Sequence, residues 1–128
     1  MRYLGIDYGT SRLGVAVSDD AASFAFPKTT LDNDATLWVA LKKIIDAERV
    51  EEIVVGDTLT ISGSENTVSK EADIFVSALV RETGKKVHRA REAWSSMEAA
   101  RYAPEGTHHD DSSAAAIILQ RFLDALPH

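Results

Sequence analysis

The hydrophobic period of this chain changes near residue 33, and that change narrows the folds open to it more than any other feature. Before it come three strand-like stretches, one of them with a clear period of two; after it, helical spacing alternates with short apolar runs. Residues 3–7 read as a short buried strand. Residues 13–18 set Leu13, Val15 and Val17 against Gly14, Ala16 and Ser18, a second strand. The intervening "YGTSR" is short enough to join the two as a hairpin. Residues 24–31 predict a third strand, and Pro27 inside it points to a sheet edge, because proline cannot donate to a ladder. Phe24 and Phe26 are assigned to the core.

Beyond the change, Leu37, Leu41, Ile44 and Ile45 fall on one helical face. "EEIVVGD" is an apolar run closed by Gly56 and Asp57, the pattern of a parallel strand covered on both faces. Val68, Ala72, Phe75, Val76 and Leu79 predict a second helix, with Ser64 as its cap and Gly84 at its end. "KKVHRAREAW" reads as a fifth strand. Ser95 and Glu98 have capping-box spacing for a short helix, which Pro104 and Gly106 break. Residues 114–126 form a final helix with Asp110 or Asp111 at its start, where acids are favoured. The order β-β-β-α-β-α-β-α-α predicts an α/β fold: a mixed five-stranded sheet, three antiparallel strands then two parallel, with helices on both faces.

A length of 128 residues predicts one domain over 1–128. No apolar run is long enough for a membrane span, and the start lacks the layout of a signal peptide. The absence of cysteine excludes disulfides and thiolate metal sites. A cytoplasmic protein with no membrane partner is expected. The net charge of −6 argues against a non-specific nucleic-acid binder, but the sum omits any cation held among the acids. No heptad or long apolar edge declares an oligomer, so a monomer or weak homodimer is expected.

Asp7 stands between two apolar runs, where an unpaired carboxylate would be costly. Either it caps the "GTS" turn, or it serves a ligand in the crevice beyond the strand ends. Asp57 closes the fourth strand, Glu92 lies near the end of the fifth, and Asp110 and Asp111 open the last helix. Singly, each acid reads as a cap or a solvated side chain. Together they can converge on one sheet edge, where their mutual repulsion calls for a cation. Oxygen donors suit Mg²⁺ or Mn²⁺ rather than zinc. Such ions stabilise the attacking and leaving oxygens in phosphodiester hydrolysis. His108, three residues before Asp111, is a candidate ligand or general base; adjacent His108 and His109 otherwise read as solvated loop residues. Gly9 leaves room for a phosphate, and Thr10, Ser11 and Arg12 offer hydroxyls and a charge. Arg81, Lys85, Lys86, Arg89 and Arg91 form either a solvated helix end and strand or a strip for a phosphate backbone.

"LGIDYGTSRLGVAVSD", "VEEIVVG" followed by "SGSE", and "DSSAAAIILQRFLD" together resemble the YqgF/RuvX family of pre-16S rRNA nucleases and Holliday junction resolvases. The resemblance spans essentially the whole chain in order. It implies an RNase H-like fold and a metal-dependent nuclease with an acidic triad. Asp7 matches the family's first acid and Asp111 its last. The middle acid lies in a family "DER" motif followed by two hydroxyl residues; here the stretch reads "REAWSS", so Glu92 fits the Glu and Ser95 and Ser96 the hydroxyl pair. Arg91 replaces the preceding acid and Ala93 the following arginine. Asp57 and Thr58 stand where the family tends to have Leu-Pro, and Asp57 is a candidate substitute ligand. The implied partner is an rRNA precursor or branched DNA, held through Gly9, Thr10, Arg12, Arg89 and Arg91.

Two other readings of these residues stay open. "DYGTS" also resembles the Asp-x-Gly-Thr hairpin with which sugar kinases and actin-like ATPases hold ATP phosphates, although those proteins use two such domains. The altered "REAWSS" motif and the acidic charge also fit a diverged member that binds nucleic acid or protein without cutting.

Overall fold

A computed structural model describes residues 1–56, 66–90 and 111–127. The first three strands are β1 (Arg2–Asp7), β2 (Arg12–Ser18) and β3 (Ala25–Asp32). There follow α1 (Leu37–Glu48), β4 (Val50–Gly56), α2 (Asn66–Thr83), β5 (Lys86–Arg89) and α3 (Asp111–Asp124). The strands lie in the order β3-β2-β1-β4-β5. Pairing is antiparallel between β1 and β2 and between β2 and β3, and parallel between β1 and β4 and between β4 and β5. This is the mixed sheet expected from the change of period. The short helix expected at Ser95 and the Ser64 cap lie outside the described residues.

β1 is the central strand, and its alternate residues feed two separate cores. Leu4 and Ile6, with Leu13, Val15, Ile53 and Val55, face Leu41 and Ile45 of α1 and Ala72, Phe75 and Leu79 of α2. Tyr3 on the opposite face joins Ala16, Val54 and the α3 residues Ala115, Ile118, Leu119 and Leu123. Burial on both faces is why these strands read as nearly continuous apolar runs. α2 ends at Gly84, whose φ of +67° is a left-handed conformation that favours glycine, and whose N–H donates to the Val80 carbonyl at 2.9 Å.

β3 is an edge strand, as Pro27 required. Its register against β2 shifts between Val15, paired with Thr29, and Ala16, paired with Pro27, so Lys28 is the extra residue of a bulge that accommodates the proline. The assignment of Phe24 and Phe26 to the core is corrected: they are 62% and 52% exposed. They lie just before and near the start of the edge strand, and among the described residues neither joins a core cluster. That start is held instead by Gln120 of α3, whose Oε1 accepts from the Ala25 N–H at 2.9 Å while its Nε2 donates to the Ser23 carbonyl at 2.9 Å.

Candidate active site

Asp7 is the last residue of β1 and only 6% exposed. It pairs with Gly14 of β2 on one side and Gly56 of β4 on the other. Paired residues present their side chains to the same face, so this carboxylate is flanked by two positions that have none. Strand alternation puts it on the face of Tyr3 and Gly5, the face covered by α3.

Glycines also set how α3 lies. A Cβ at Gly5 would stand 2.7 Å from the Leu119 Cβ and 3.1 Å from the Ala115 carbonyl; one at Gly56 would stand 3.0 Å from Ile118. At the other end of β1, the Tyr3 and Phe122 rings pack with centroids 5.5 Å apart. α3 therefore runs antiparallel to β1, with Phe122 over Tyr3 and Leu119 and Ala115 over Gly5. Two strand residues advance about 6.6 Å and one helical turn about 5.4 Å, so the first turn of α3 arrives at the level of Asp7. That turn begins with Asp111 and continues with Ser112, which is buried at 7% exposure.

The connection between β1 and β2 is tightly held. The Tyr8 N–H extends the parallel ladder to the Gly56 carbonyl at 2.8 Å, and its buried ring packs on Phe75 at 5.1 Å. A Cβ at Gly9 would stand 2.5 Å from the Arg12 carbonyl, so the glycine is required by the hairpin's own backbone. Thr10, Ser11 and Arg12 are exposed beyond it. Asn33, which sequence reasoning passed over, donates to this loop from both its backbone and its side chain.

The basic run, read either as a solvated helix end and strand or as a strip for a phosphate backbone, is divided by the sheet. Lys86 pairs with Glu52, which pairs with Tyr3, so Lys86 lies about 13 Å along the sheet from Asp7, four residues at the usual rise. Arg81, in the last turn of α2, and Lys85 lie near the start of β5, at the same end. Arg89 is level with Ile6, next to the Asp7 end. Its Nε donates to Asp73 Oδ1 at 3.1 Å and its Nη1 to the Ala90 carbonyl at 3.3 Å, and its side chain is 13% exposed. Here its guanidinium ties β5 to α2. His88 and Glu52, 2.6 Å apart, sit with Tyr3 and Phe122 away from Asp7. Burial, then the charges of Glu52 and Glu51, push the Tyr3 phenol above its ordinary value.

Asp57, Arg91, Glu92, His108 and Asp110 lie outside the described residues, and of Asp111 only its place in the backbone is described. Among the described residues no three His, Cys, Asp or Glu side chains form a metal-holding group. The described part of the expected acidic edge is therefore the buried Asp7 and the start of α3 beside it.

The family model described as "RuvX: Holliday junction resolvase" matches residues 1–125. A protein of Oleidesulfovibrio alaskensis named "Putative pre-16S rRNA nuclease" is 36% identical over 134 residues, covering 97% of this chain and 92% of that one. A protein of the same name from Nitratidesulfovibrio vulgaris is 36% identical over 138 residues, covering 97% and 94%. Among solved structures, Thermus thermophilus RuvC in complex with a Holliday junction substrate superposes with a TM-score of 0.60 at 15% identity, covering 98% of this chain and 94% of that one. Fowlpox virus resolvase in complex with Holliday junction DNA gives 0.55 at 10% identity, covering 98% of both chains. The fold is thus the RNase H-like fold of these resolvases. From the family match over residues 1–125 and the near full-length identity to these relatives, the chain belongs to the RuvX family of Holliday junction resolvases.

Proposed function

We propose that this protein is a metal-dependent endonuclease that hydrolyses phosphodiester bonds in structured nucleic acid, either an rRNA precursor or a Holliday junction. The observation that carries the reading is the buried Asp7 carboxylate at the C-terminal end of the central strand, level with the start of α3. The names of its relatives as nucleases and resolvases support it.

The donor chemistry fits a hard cation: Asp7 is a buried carboxylate, and the chain has no cysteine to select a softer one. Asp7, Glu92 and Asp111 would hold Mg²⁺ or Mn²⁺, with Asp57, His108 and Asp110 as further candidates. Such an ion, when bound, supplies Lewis-acid stabilisation of charge at the phosphate. The chain's own contribution is placement. Strand pairing with Gly14 and Gly56 sets where Asp7 stands, while Gly9 closes the turn that presents Thr10 and Arg12 to the backbone of the substrate. Arg91 remains a candidate phosphate contact, and Arg89 acts through the strand it anchors. A single domain over residues 1–128, monomeric or weakly dimeric and cytoplasmic, fits this role. Among the described residues no helix is long and apolar enough to cross a membrane.

The test is cleavage of end-labelled four-way DNA junctions and precursor rRNA fragments with Mn²⁺ or Mg²⁺. Cutting is expected with metal, none with EDTA, and a fall of at least roughly a hundredfold in Asp7→Asn, which removes the charge but keeps the shape. Failure to cut either substrate, or an Asp7→Asn protein as active as the original, overturns the reading.

A further inference from the structure

We propose that Asn33 is a positioning residue that sets the β1–β2 loop to receive a backbone phosphate of the substrate; the inference rests on the nuclease reading above. Asn33 directly follows β3. Its backbone N–H donates to the Ser11 carbonyl at 2.9 Å. Its side-chain Nδ2 donates to the Gly9 carbonyl at 3.0 Å and the Thr10 carbonyl at 3.3 Å. One residue thus holds three successive carbonyls of the loop that leaves Asp7.

The consequence follows from peptide geometry. The described peptide bonds include no cis bond, and in a trans unit the carbonyl and the next N–H point in opposite directions. Drawing the carbonyls of Gly9 and Thr10 toward Asn33 turns the N–H groups of Thr10 and Ser11 away from it. Among the described residues, neither of those N–H groups donates to a protein acceptor. Thr10 and Ser11 are also exposed residues, each within four residues of Asp7 and each carrying a hydroxyl. Consecutive outward N–H groups of this kind suit the oxygens of a phosphate. Gly9 adds to the constraint, because its backbone lies too close to the Arg12 carbonyl to admit a Cβ. Without the Asn33 amide, the described backbone bonds left to the loop are Tyr8 N–H to the Gly56 carbonyl and Asn33 N–H to the Ser11 carbonyl, and the Gly9–Thr10 and Thr10–Ser11 peptide planes lose their anchor.

Asn33→Asp removes the donor at constant shape, Asn33→Ala removes the side chain, and Asn33→Gln retains an amide. Cleavage of the same labelled junction and rRNA fragments is measured, together with amide hydrogen exchange. The expected result is a rise in KM of roughly tenfold in Asn33→Asp and Asn33→Ala at little-changed kcat, from two lost hydrogen bonds. Exchange at Thr10 and Ser11 should rise while exchange in β1 and β4 stays as it was, and Asn33→Gln should recover part of the KM. An unchanged KM in both variants of an active protein overturns the inference alone. So does a loss of activity that tracks faster exchange throughout the core, which is a role in stability only. If the unaltered protein binds and cuts neither substrate, the nuclease reading falls and this inference falls with it.

Discussion

Gly5 on β1 lies so close to Leu119 on α3 that a Cβ added to the glycine would stand 2.7 Å from the leucine Cβ. Neither atom is the end of a flexible side chain, so the contact sets how near the helix lies to the sheet. It therefore also sets where the first turn of α3, with Asp111, meets the end of β1. Gly5→Ala should lift α3 and destabilise the fold by about 1–3 kcal/mol, read from urea midpoints. Cleavage should fall further than the unfolded fraction accounts for. Unchanged stability would show that the helix can rise without cost, and that this contact does not govern its depth.

Arg89 and Asp73 form an unequal pair. The arginine side chain is 13% exposed, and it also donates to the Ala90 carbonyl; the aspartate is 45% exposed. Arg89→Ala should cost about 1.5–3 kcal/mol, because charged hydrogen bonds at a strand end are lost together. Asp73→Ala should cost at most about 1 kcal/mol, since water screens the exposed carboxylate. A double-mutant cycle on thermal or urea unfolding measures both. Equal costs for the two single variants would show that the ion pair, rather than the carbonyl contacts, is the main term.

Asp19 closes the turn between β2 and β3 by accepting from the Ser23 N–H at 2.8 Å and the Phe24 N–H at 3.0 Å. The Phe24 bond, then the Ser23 bond, holds its carboxyl below the usual carboxylate range. The sign follows from linkage: a depressed folded pKa gives stability that is present above the unfolded value, about 3.9, and is lost as pH falls through the folded value. The stability difference between the original protein and Asp19→Asn should therefore be larger at pH 7 than near pH 2. A carboxyl NMR titration of Asp19 checks the midpoint directly, and a midpoint at or above the ordinary value would contradict the turn geometry.

Asp7 was legible in the chain because its signal is local. A carboxylate that closes an apolar run and precedes a tight connection must lie at a strand end, whatever the rest of the sheet does. The same locality exposed the hairpin, the edge character imposed by Pro27 and the end of α2 at Gly84. Asn33 had no such signal. A single asparagine between a strand and a helix reads as a loop residue, and its side-chain partners lie 24 and 23 positions earlier. The basic run has no local signal of its arrangement either: Arg89 and Lys86 are close in sequence, but strand pairing puts them at different heights on the sheet.

Among the described residues, the sequence by itself determined the strands and helices, the order in which they occur and an acid at the end of the first strand. Hydrophobic period, proline and glycine act through neighbouring residues, so the chain carries them openly. Only the tertiary structure decided that Asp7 would stand between Gly14 and Gly56, that α3 would bring Asp111 to the same end, and that Asn33 would hold the loop beyond. Those relationships depend on which strands pair, in what register, and on how closely a helix approaches a strand without side chains. They are set by packing between distant segments, which no local pattern records.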